Sequence, residues 1–345
     1  MALRQYLSGL FQYLRLHIFV LTFRLLLRWR TAAHIQRDAN VLPLTEAGVR
    51  KKRIQIPSRD PGRFIAADLY LPLHDGKNED QQSLLPVLVN WHGSGFVFPL
   101  HGTDAYFCTR MARDVGIAVL DADYRKAPER PYPAAIDDAE DALRWVASPA
   151  TCDAYRLDPR RVAVSGFSAG GHIAAVAASH LKRKLEADTQ LGINIEMLLS
   201  IYGSADIATD GAMKKPPLPN LRAHAPWILN MFAEAYAPDP PYSRTDPAIS
   251  PAFADPGSFP ATTAFLTCEG DNLRWEIETL VARLKEGGTK DEGKRDVHCK
   301  MLEGACHAFD KGIKEDGGGS LTWIRREEAY AWAASLLKDT LRPSQ

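Results

Sequence analysis

The stretch Arg161–Gly171, with the sequence RVAVSGFSAGG, decides the fold of this chain. Its first half is a short apolar run rich in valine, which predicts a buried strand, and its second half begins a helical pattern. Between the two halves, Gly166 and Gly170 flank Ser168. Glycines at such a turn let the neighbouring backbone pass closely without a Cβ clash. The segment therefore predicts a sharp strand-to-helix turn that holds the serine side chain above the edge of a sheet.

Six further segments have the length and composition of strands. They are Phe64–Tyr70, Pro86–Trp91, Ile117–Asp121, Met197–Tyr202, Thr262–Thr267 and Val297–Leu302. Helical patterns separate several of these segments, and a closing helix is predicted over Arg325–Leu341. Strands that alternate with helices favour right-handed crossovers. The predicted fold class is therefore α/β, with a mostly parallel central sheet and helices on both of its faces.

The composition excludes several classes of protein. The chain has 345 residues, of which 46% are hydrophobic and 24% charged, so it is not mainly disordered. Its 42 basic residues balance 42 acidic ones, and we therefore expect no nucleic-acid partner. The 5 cysteines are scattered without a C-x-x-C pair, which favours packing thiols in a reducing, cytoplasmic compartment over a disulfide or zinc framework. No metal or organic cofactor is expected.

Residues 1–45 are predicted to form an N-terminal helical arm. Apolar residues recur there at helical spacing, at Leu3, Leu7, Leu10, Leu14, Ile18, Leu21 and Leu25. A membrane-spanning helix needs about 20 apolar residues, and Arg15 interrupts this run. Two interpretations stay open. The arm is either a helix packed over the body of the protein, which we favour, or a helix in a membrane interface that makes peripheral contact through residues 1–30.

A second unusual region lies at about 205–245. Two proline-rich stretches, at 214–219 and 238–241, bracket a helix-like piece over Trp227–Tyr236. Long loops inside a compact domain are usually functional, for example as lids. We therefore expect a helical cap inserted into the main domain of residues 46–345, with the N-terminal arm packed against it.

A serine on such a turn can act as a nucleophile, and the chain holds candidates for the groups that activate it. Asp271 and His307 each follow a predicted strand. Because the carboxyl ends of parallel strands meet at one edge of a sheet, both side chains can reach Ser168 there. Glu269 and Glu276 compete for the role of the acid. Asp271 is preferred because it directly follows a turn glycine, whereas Glu276 is expected on a helix surface.

A loop of small residues after the strand Pro86–Trp91 predicts an oxyanion hole. The loop consists of His92, Gly93, Ser94 and Gly95. Small residues let backbone N–H groups face a substrate oxygen, although an ordinary glycine turn is the alternative for such a motif alone. Together with the serine turn, the loop predicts an oxyanion site made of backbone N–H groups, those of Ser94, Gly95 and Ala169.

Residues from about Val87 to Leu337 resemble the α/β-hydrolase fold and, within it, the hormone-sensitive-lipase-like carboxylesterases. The resemblance rests on five motifs, namely HGSGF at 92–96, DYRKAPERPYPAA at 123–135, GFSAGG at 166–171, GDNLRWE at 270–276 and CHAF at 306–309. It implies hydrolysis of small to medium carboxylic esters through an acyl-enzyme. It also implies a triad of Ser168, Asp271 and His307, in the chain order described for this fold.

Several alternatives share these motifs. A lactonase, an amidase or an acyltransferase can use the same three residues, and a non-catalytic small-molecule receptor can use the same fold. The chain also departs from the family pattern at Ser94, where a glycine is common, and at Phe167, where an acidic residue is common. We expect the substrate pocket to be lined by apolar side chains, those of Phe96, Phe167, Trp227, Met231 and Phe232.

Overall fold

The computed structural model describes residues 2–73, 84–214, 223–287, 295–311 and 319–341. Most of the proline-rich stretch 214–219 lies outside these residues, as do residues 220–222 of the expected cap. The helices are α1 (Ala2–Asn40), α2 (Leu44–Ala47), α3 (Ala105–Val115), α4 (Ala134–Ala147), α5 (Pro149–Tyr155), α6 (Ala169–Val176), α7 (Lys182–Glu186), α8 (Pro226–Tyr236), α9 (Arg274–Glu286) and α10 (Leu321–Thr340). A π-helical turn over Ala177–Leu181 joins α6 to α7.

The described strands form one sheet of eight. They are β1 (Val49–Pro57), β2 (Phe64–Pro72), β3 (Leu85–Trp91), β4 (Ala118–Ala122), β5 (Leu157–Phe167), β6 (Ile195–Ile201), β7 (Thr262–Cys268) and β8 (Asp296–Leu302). Their order across the sheet is β1-β2-β4-β3-β5-β6-β7-β8. The pairs β1–β2 and β2–β4 are antiparallel, and every other pair is parallel. The predicted α/β class is confirmed.

Side chains alternate along each strand, so a strand that is apolar throughout presents apolar side chains to both faces of the sheet, and helices cover both. In β3, Val87 and Val89 pack into one apolar layer with α4 and α6, whereas Leu88 packs into the other layer with α3 and α10. All three side chains are fully buried. A strand buried on both faces must be apolar throughout, which is why β3 was recognisable as a continuous apolar run.

Strand β1 was not predicted. Its sequence is VRKKRIQIP, and only Val49, Ile54 and Ile56 are buried. The strand lies at the edge of the sheet, where it pairs with β2 alone. Charged side chains are typical of edge strands because they discourage pairing with other chains. Because charged residues occupy most of the first half of β1, its sequence lacks the alternation of apolar and polar residues that predicts a strand.

Helix α1 packs on the domain through Leu16 and Val20, which contact Val97, Ala127 and Ala235. Of the predicted apolar stripe, Leu14, Ile18, Leu21 and Leu25 are exposed and do not pack on the domain. The side chains of Leu3, Leu7 and Leu10 lie outside the described part of the structure. Both faces of α1 are apolar, so periodicity alone could not decide which one packs. Among the described residues, no helix is both long enough and apolar enough to span a membrane.

The N-terminal arm and the cap helix α8 are in contact. The Phe19 ring meets the Trp227 ring edge-on, with 5.5 Å between the ring centroids. Met231 and Phe232 of α8 pack against the small cluster formed by Leu16 and Val20. Helices α1 and α8 therefore lie together above the carboxyl edge of the sheet, where β5 delivers Ser168.

Candidate active site

Ser168 lies at the turn between β5 and α6. Its φ and ψ angles of 53° and −117° belong to a region that non-glycine residues rarely occupy, at a cost of about 1–3 kcal/mol. A Cβ on Gly170 would collide with the carbonyl group of Trp91, and a Cβ on Gly166 would collide with the backbone of Gly170. The two glycines therefore let β5 and α6 approach closely enough to hold the serine in its strained conformation.

The structure brings Ser168, His307 and Asp271 together in one hydrogen-bonded line. The Ser168 Oγ lies 2.8 Å from Nε2 of His307, and Nδ1 of the same ring lies 2.6 Å from Oδ2 of Asp271. A carboxylate can only accept, so Nδ1 carries the proton and donates it. This tautomer leaves Nε2 free of a proton and able to accept the hydrogen bond of the serine hydroxyl.

Asp271 is buried and held in its charged form. Burial by itself raises the pKa of this carboxyl, but the His307 ring beside it and the N–H of Leu273, which donates to Oδ1 at 2.9 Å, outweigh that effect. The net result is a pKa below the ordinary value. The carboxylate therefore stays ionised at neutral pH, where it fixes the orientation of the imidazole.

The competing acids are engaged elsewhere. Glu269 accepts a hydrogen bond from the N–H of Gly304 at 2.8 Å. Glu276 was expected on a helix surface, which is wrong. Its carboxylate is buried, pairs with the Lys214 ammonium at 2.5 Å and accepts the N–H of Ala205 at 2.7 Å. Glu276 thus ties the segment after β6 to α9, a role that depends on contacts distant in sequence.

The loop after β3 lies directly beside the serine. A Cβ on Gly93 would lie 3.0 Å from the carbonyl oxygen of Phe167 and 3.2 Å from the Ser168 Cβ, so a glycine favours this close approach. Among the described residues, the N–H groups of Ser94 and Gly95 donate to no hydrogen-bond acceptor. Ala169 is the first residue of α6, and the N–H at this position of a helix has no partner within the helix. Three backbone donors are therefore left available around the serine.

Side chains beneath the loop hold it in place. The Tyr124 hydroxyl donates to the carbonyl oxygen of His92 at 2.8 Å and accepts the hydroxyl proton of Ser94 at 2.5 Å. The Nε2 of His92 lies 3.1 Å from Oδ1 of Asp123. Burial, with the nearby Lys126 charge, lowers the pKa of His92, so its ring is neutral. The serine that replaces the family glycine is therefore turned down into a hydrogen bond with Tyr124.

A small cavity of about 40 Å³ lies in front of Ser168. Of the residues expected to line a pocket, Phe96 and Phe232 do line it. Trp227 and Met231 instead face α1, because they lie on the other side of helix α8. Beyond the cavity, a cleft of about 830 Å³ opens between α1 and α8, and Ile207 lines both spaces.

Phe167 does not line the cavity, contrary to expectation. As the last residue of β5 it points away from the side chain of Ser168, into the layer that contains α3 and α10. There its ring packs edge-on against Phe107 at 5.0 Å, and the Lys311 ammonium lies 4.0 Å from its centroid. Lys311 also pairs with Asp104 at 2.6 Å. The Phe167 ring thus lies against the buried ammonium of Lys311, on the opposite side of the sheet from the Ser168 side chain, and takes up no space in the cavity.

Two histidines near the serine have different surroundings. The His224 ring lies 4.5 Å from the His307 ring and lines the cavity, and no sequence motif pointed to it. His172 lies 2.7 Å from the carbonyl oxygen of Ile249 and 3.1 Å from that of Ser204. Burial lowers the pKa of His172 to about 4. Its imidazole is a buried link between segments of the domain.

The fold that brings Ser168, His307 and Asp271 together is matched by one family of proteins. A family model described as the α/β-hydrolase fold matches residues 88–311, and the chain belongs to this family. Carboxylic ester hydrolase LipN of Mycobacterium tuberculosis is 30% identical over 292 residues, which are 84% of this chain and 71% of the relative. Ethyl acetate hydrolase of Pseudomonas putida is 28% identical over 262 residues, 74% of each chain.

Solved structures give the same result. A hyperthermophilic esterase from the archaeon Pyrobaculum calidifontis superposes with a TM-score of 0.72 at 28% identity, covering 93% of both chains. EstE1, a thermostable carboxylesterase cloned from a metagenomic library, superposes with a TM-score of 0.69 at 28% identity, covering 90% of this chain and 97% of its own. The resemblance inferred from the motifs is confirmed.

Proposed function

We propose that this protein is a serine carboxylesterase that cleaves small to medium carboxylic esters through an acyl-enzyme. The observation that carries the proposal is the line of two hydrogen bonds, 2.8 and 2.6 Å long, from Ser168 through His307 to Asp271. A weak nucleophile, a base and an orienting acid in this arrangement are the parts that acyl transfer needs. The names of the relatives and of the similar solved structures support an ester as the substrate.

The proposed reaction has two halves. In the first, the Ser168 Oγ attacks the acyl carbon while Nε2 of His307 takes the hydroxyl proton, and the same nitrogen then returns that proton to the leaving alcohol. In the second, water attacks the acyl carbon while Nε2 of His307 takes its proton, and that proton returns to the Ser168 Oγ as the bond to the acyl group breaks and the carboxylic acid leaves. Asp271 stabilises the imidazolium in both halves. The negative oxygen that forms would be bound by the backbone N–H groups of Ser94, Gly95 and Ala169.

The size of the cavity favours the smaller end of the proposed substrate range. A single water molecule needs roughly 10–15 Å³ of such space, so the cavity of about 40 Å³ beside Ser168 suits a short acyl chain. We propose that the acyl group occupies this cavity. The alcohol would then extend past Ile207 toward the larger cleft between α1 and α8.

We also propose a cellular setting. The protein would work in the cytoplasm on a small-molecule ester, with peripheral membrane contact through residues 1–30. All 5 cysteines are free thiols, which supports a reducing compartment.

Labelling by a fluorophosphonate probe tests the nucleophile. Wild type should be labelled and should hydrolyse p-nitrophenyl acetate, whereas Ser168→Ala should lose both properties and keep its melting temperature. Ser204→Ala is the matched control, because this serine also lines the cavity and bonds His172 instead of His307. A labelled Ser168→Ala variant would contradict the assignment. An anilide of the same acyl group distinguishes an esterase from an amidase.

A further inference from the structure

The most unusual surface of the molecule is the side of α1 that points away from the domain. We call it the outer face, and it consists of Phe11, Leu14, Ile18, Leu21, Leu25 and Trp29. Each of these side chains is between 48% and 73% exposed. With a rise of 1.5 Å per residue, the stripe is about 27 Å long. A continuous apolar surface of this size on a folded protein indicates an interaction site.

The charges on α1 indicate what this surface meets. Between Ala2 and Arg37 the helix carries six arginines and no acidic residue, the arginines being Arg4, Arg15, Arg24, Arg28, Arg30 and Arg37. At 100° per residue, Arg15 and Arg28 lie on opposite flanks of the outer face. Within the described part of the chain, Arg28 and Arg30 form no ion pair and are exposed. An apolar stripe with basic flanks is typical of a helix that lies in the interface of a membrane.

A second copy of the chain is a weaker occupant of the same surface. The spacing of Phe11, Leu14, Ile18, Leu21 and Leu25 alternates between three and four residues, as in a coiled coil. Pairing two such helices would bring arginines against arginines, since this part of the helix has no acidic residue to pair with them. Like charges that face each other across two paired helices repel and destabilise the pair. Anionic lipid headgroups supply the opposite charge, and the acyl region beneath them takes up the apolar stripe.

We propose that the outer face of α1 is a docking surface for an anionic lipid membrane, with the helix lying parallel to the bilayer. This proposal deepens the membrane contact proposed above by naming the surface and the lipid charge, and it does not rest on ester hydrolysis. The opposite side of the same helix packs on α8 through Leu16 and Val20. A docked helix would therefore hold the cleft between α1 and α8 close to the membrane surface.

Co-sedimentation of the full chain with vesicles tests the proposal. The protein should bind vesicles that contain phosphatidylserine and bind phosphatidylcholine vesicles much more weakly. Ile18→Glu combined with Leu25→Glu should abolish binding, because docking would then require two negative charges to enter the acyl region. Thr189→Glu combined with Gln190→Glu adds the same charge at two exposed positions between α7 and β6 and should bind as wild type does.

An arginine variant tests the charge requirement with little risk to folding. Arg28→Gln should weaken binding to phosphatidylserine vesicles by roughly fivefold, the contribution of one basic residue at such a surface. Hydrolysis of soluble p-nitrophenyl acetate should stay at the wild-type rate both in the glutamate variant and in the arginine variant of α1, which separates this proposal from the proposed esterase activity.

Three outcomes would overturn the proposal. The first is wild-type protein that stays in the supernatant with both kinds of vesicle. The second is equal binding to the two kinds of vesicle. The third is a dimer in sedimentation velocity that Ile18→Glu with Leu25→Glu converts to a monomer, which would assign the outer face to a second copy of this chain.

Discussion

The guanidinium of Arg24 and the carboxylate of Glu129 form a two-pronged ion pair, with N–O distances of 2.5 and 3.0 Å. The same guanidinium donates to the carbonyl oxygens of Val97 and Ala127, both at 2.8 Å. Val97 lies two residues after Gly95, the last residue of the loop that carries the proposed oxyanion donors, and the N–H of Ala127 donates to the carbonyl oxygen of Phe96. Arg24 therefore fastens α1 to the backbone that positions Ser94 and Gly95.

The first prediction follows from this contact and assigns Arg24 a positioning role. Arg24→Ala should lower kcat by about ten- to a hundredfold with little change in KM, because small displacements of catalytic groups cost about this much. Arg24→Lys should restore little, since one ammonium cannot replace the planar fork of donors. Steady-state kinetics on p-nitrophenyl acetate measures both constants.

Arg28→Ala controls for the loss of one arginine from the same helix, and it should have wild-type kinetics on this soluble ester. If Arg24→Ala raises KM and leaves kcat unchanged, Arg24 shapes the substrate cleft and does not position the loop. If only the melting temperature falls, the contact serves stability alone.

The second prediction concerns the acid. Asp271→Asn should keep the fold and lower kcat by about 10⁴, the loss measured in a serine protease with the equivalent change. The reason is that an amide can donate to Nδ1 of His307 and so favour the wrong tautomer. Glu276→Gln is the control, because this buried carboxylate lies nearby and pairs with Lys214. It should lower the melting temperature and leave most of kcat. A loss of less than tenfold in Asp271→Asn would contradict the assignment.

The sequence predicted those parts of the fold and site that depend on a few neighbouring residues. The turn at Ser168 requires glycines on both sides, and these are visible in the sequence. Asp271 and His307 follow apolar runs, so the rule that parallel strands end at one edge was enough to place both near the serine. Local chemistry and a general rule of topology decide these positions.

Other features could not be predicted because they depend on contacts between distant segments. The side of α1 that packs on the domain carries Arg24, and its guanidinium bonds the carbonyl oxygens of Val97 and Ala127, which are far away in the sequence. Phe167 was predicted to line the pocket because it precedes the serine, but the alternation of side chains along β5 directs its ring toward Lys311. The charged pair between Lys214 and Glu276 joins two segments 62 residues apart. No periodic pattern within one segment contains this information.

The third prediction concerns the size of the acyl group. Phe232 lines the cavity, and its ring lies against Gly95. Phe232→Ala should raise kcat/KM for p-nitrophenyl octanoate relative to the acetate by about tenfold or more, since each methylene accommodated in an apolar pocket is worth about this factor. Met231→Ala removes a side chain from the adjacent position of α8, which faces α1, and should leave the ratio unchanged. An unchanged ratio in Phe232→Ala would place the acyl group elsewhere, with the larger cleft as the alternative.

The fourth prediction concerns pH and the anchoring of α1. The Oδ2 of Asp38 accepts the N–H of Tyr106 in the first turn of α3 at 2.9 Å. Burial raises the pKa of Asp38 from 3.8 to about 7, although the Lys311 charge opposes the rise. In the unfolded chain the carboxyl loses its proton near pH 4, and in the folded protein near pH 7. As pH rises from 4 to 7 the unfolded state therefore binds fewer protons, and the free energy of unfolding decreases.

Asparagine resembles the protonated acid and can still accept the N–H of Tyr106. Asp38→Asn should therefore melt about 2 °C or more above wild type at pH 8, if the change is worth on the order of 1 kcal/mol in a chain of this size. The difference should shrink as pH falls toward 4. Glu46→Gln, which removes an exposed carboxylate on α2, controls for net charge and should show no such trend. Thermal unfolding followed by circular dichroism at several pH values measures the effect. A variant that melts below wild type at pH 8 would mean that Asp38 is ionised there and that its charge, facing Lys311 and the first turn of α3, stabilises the fold.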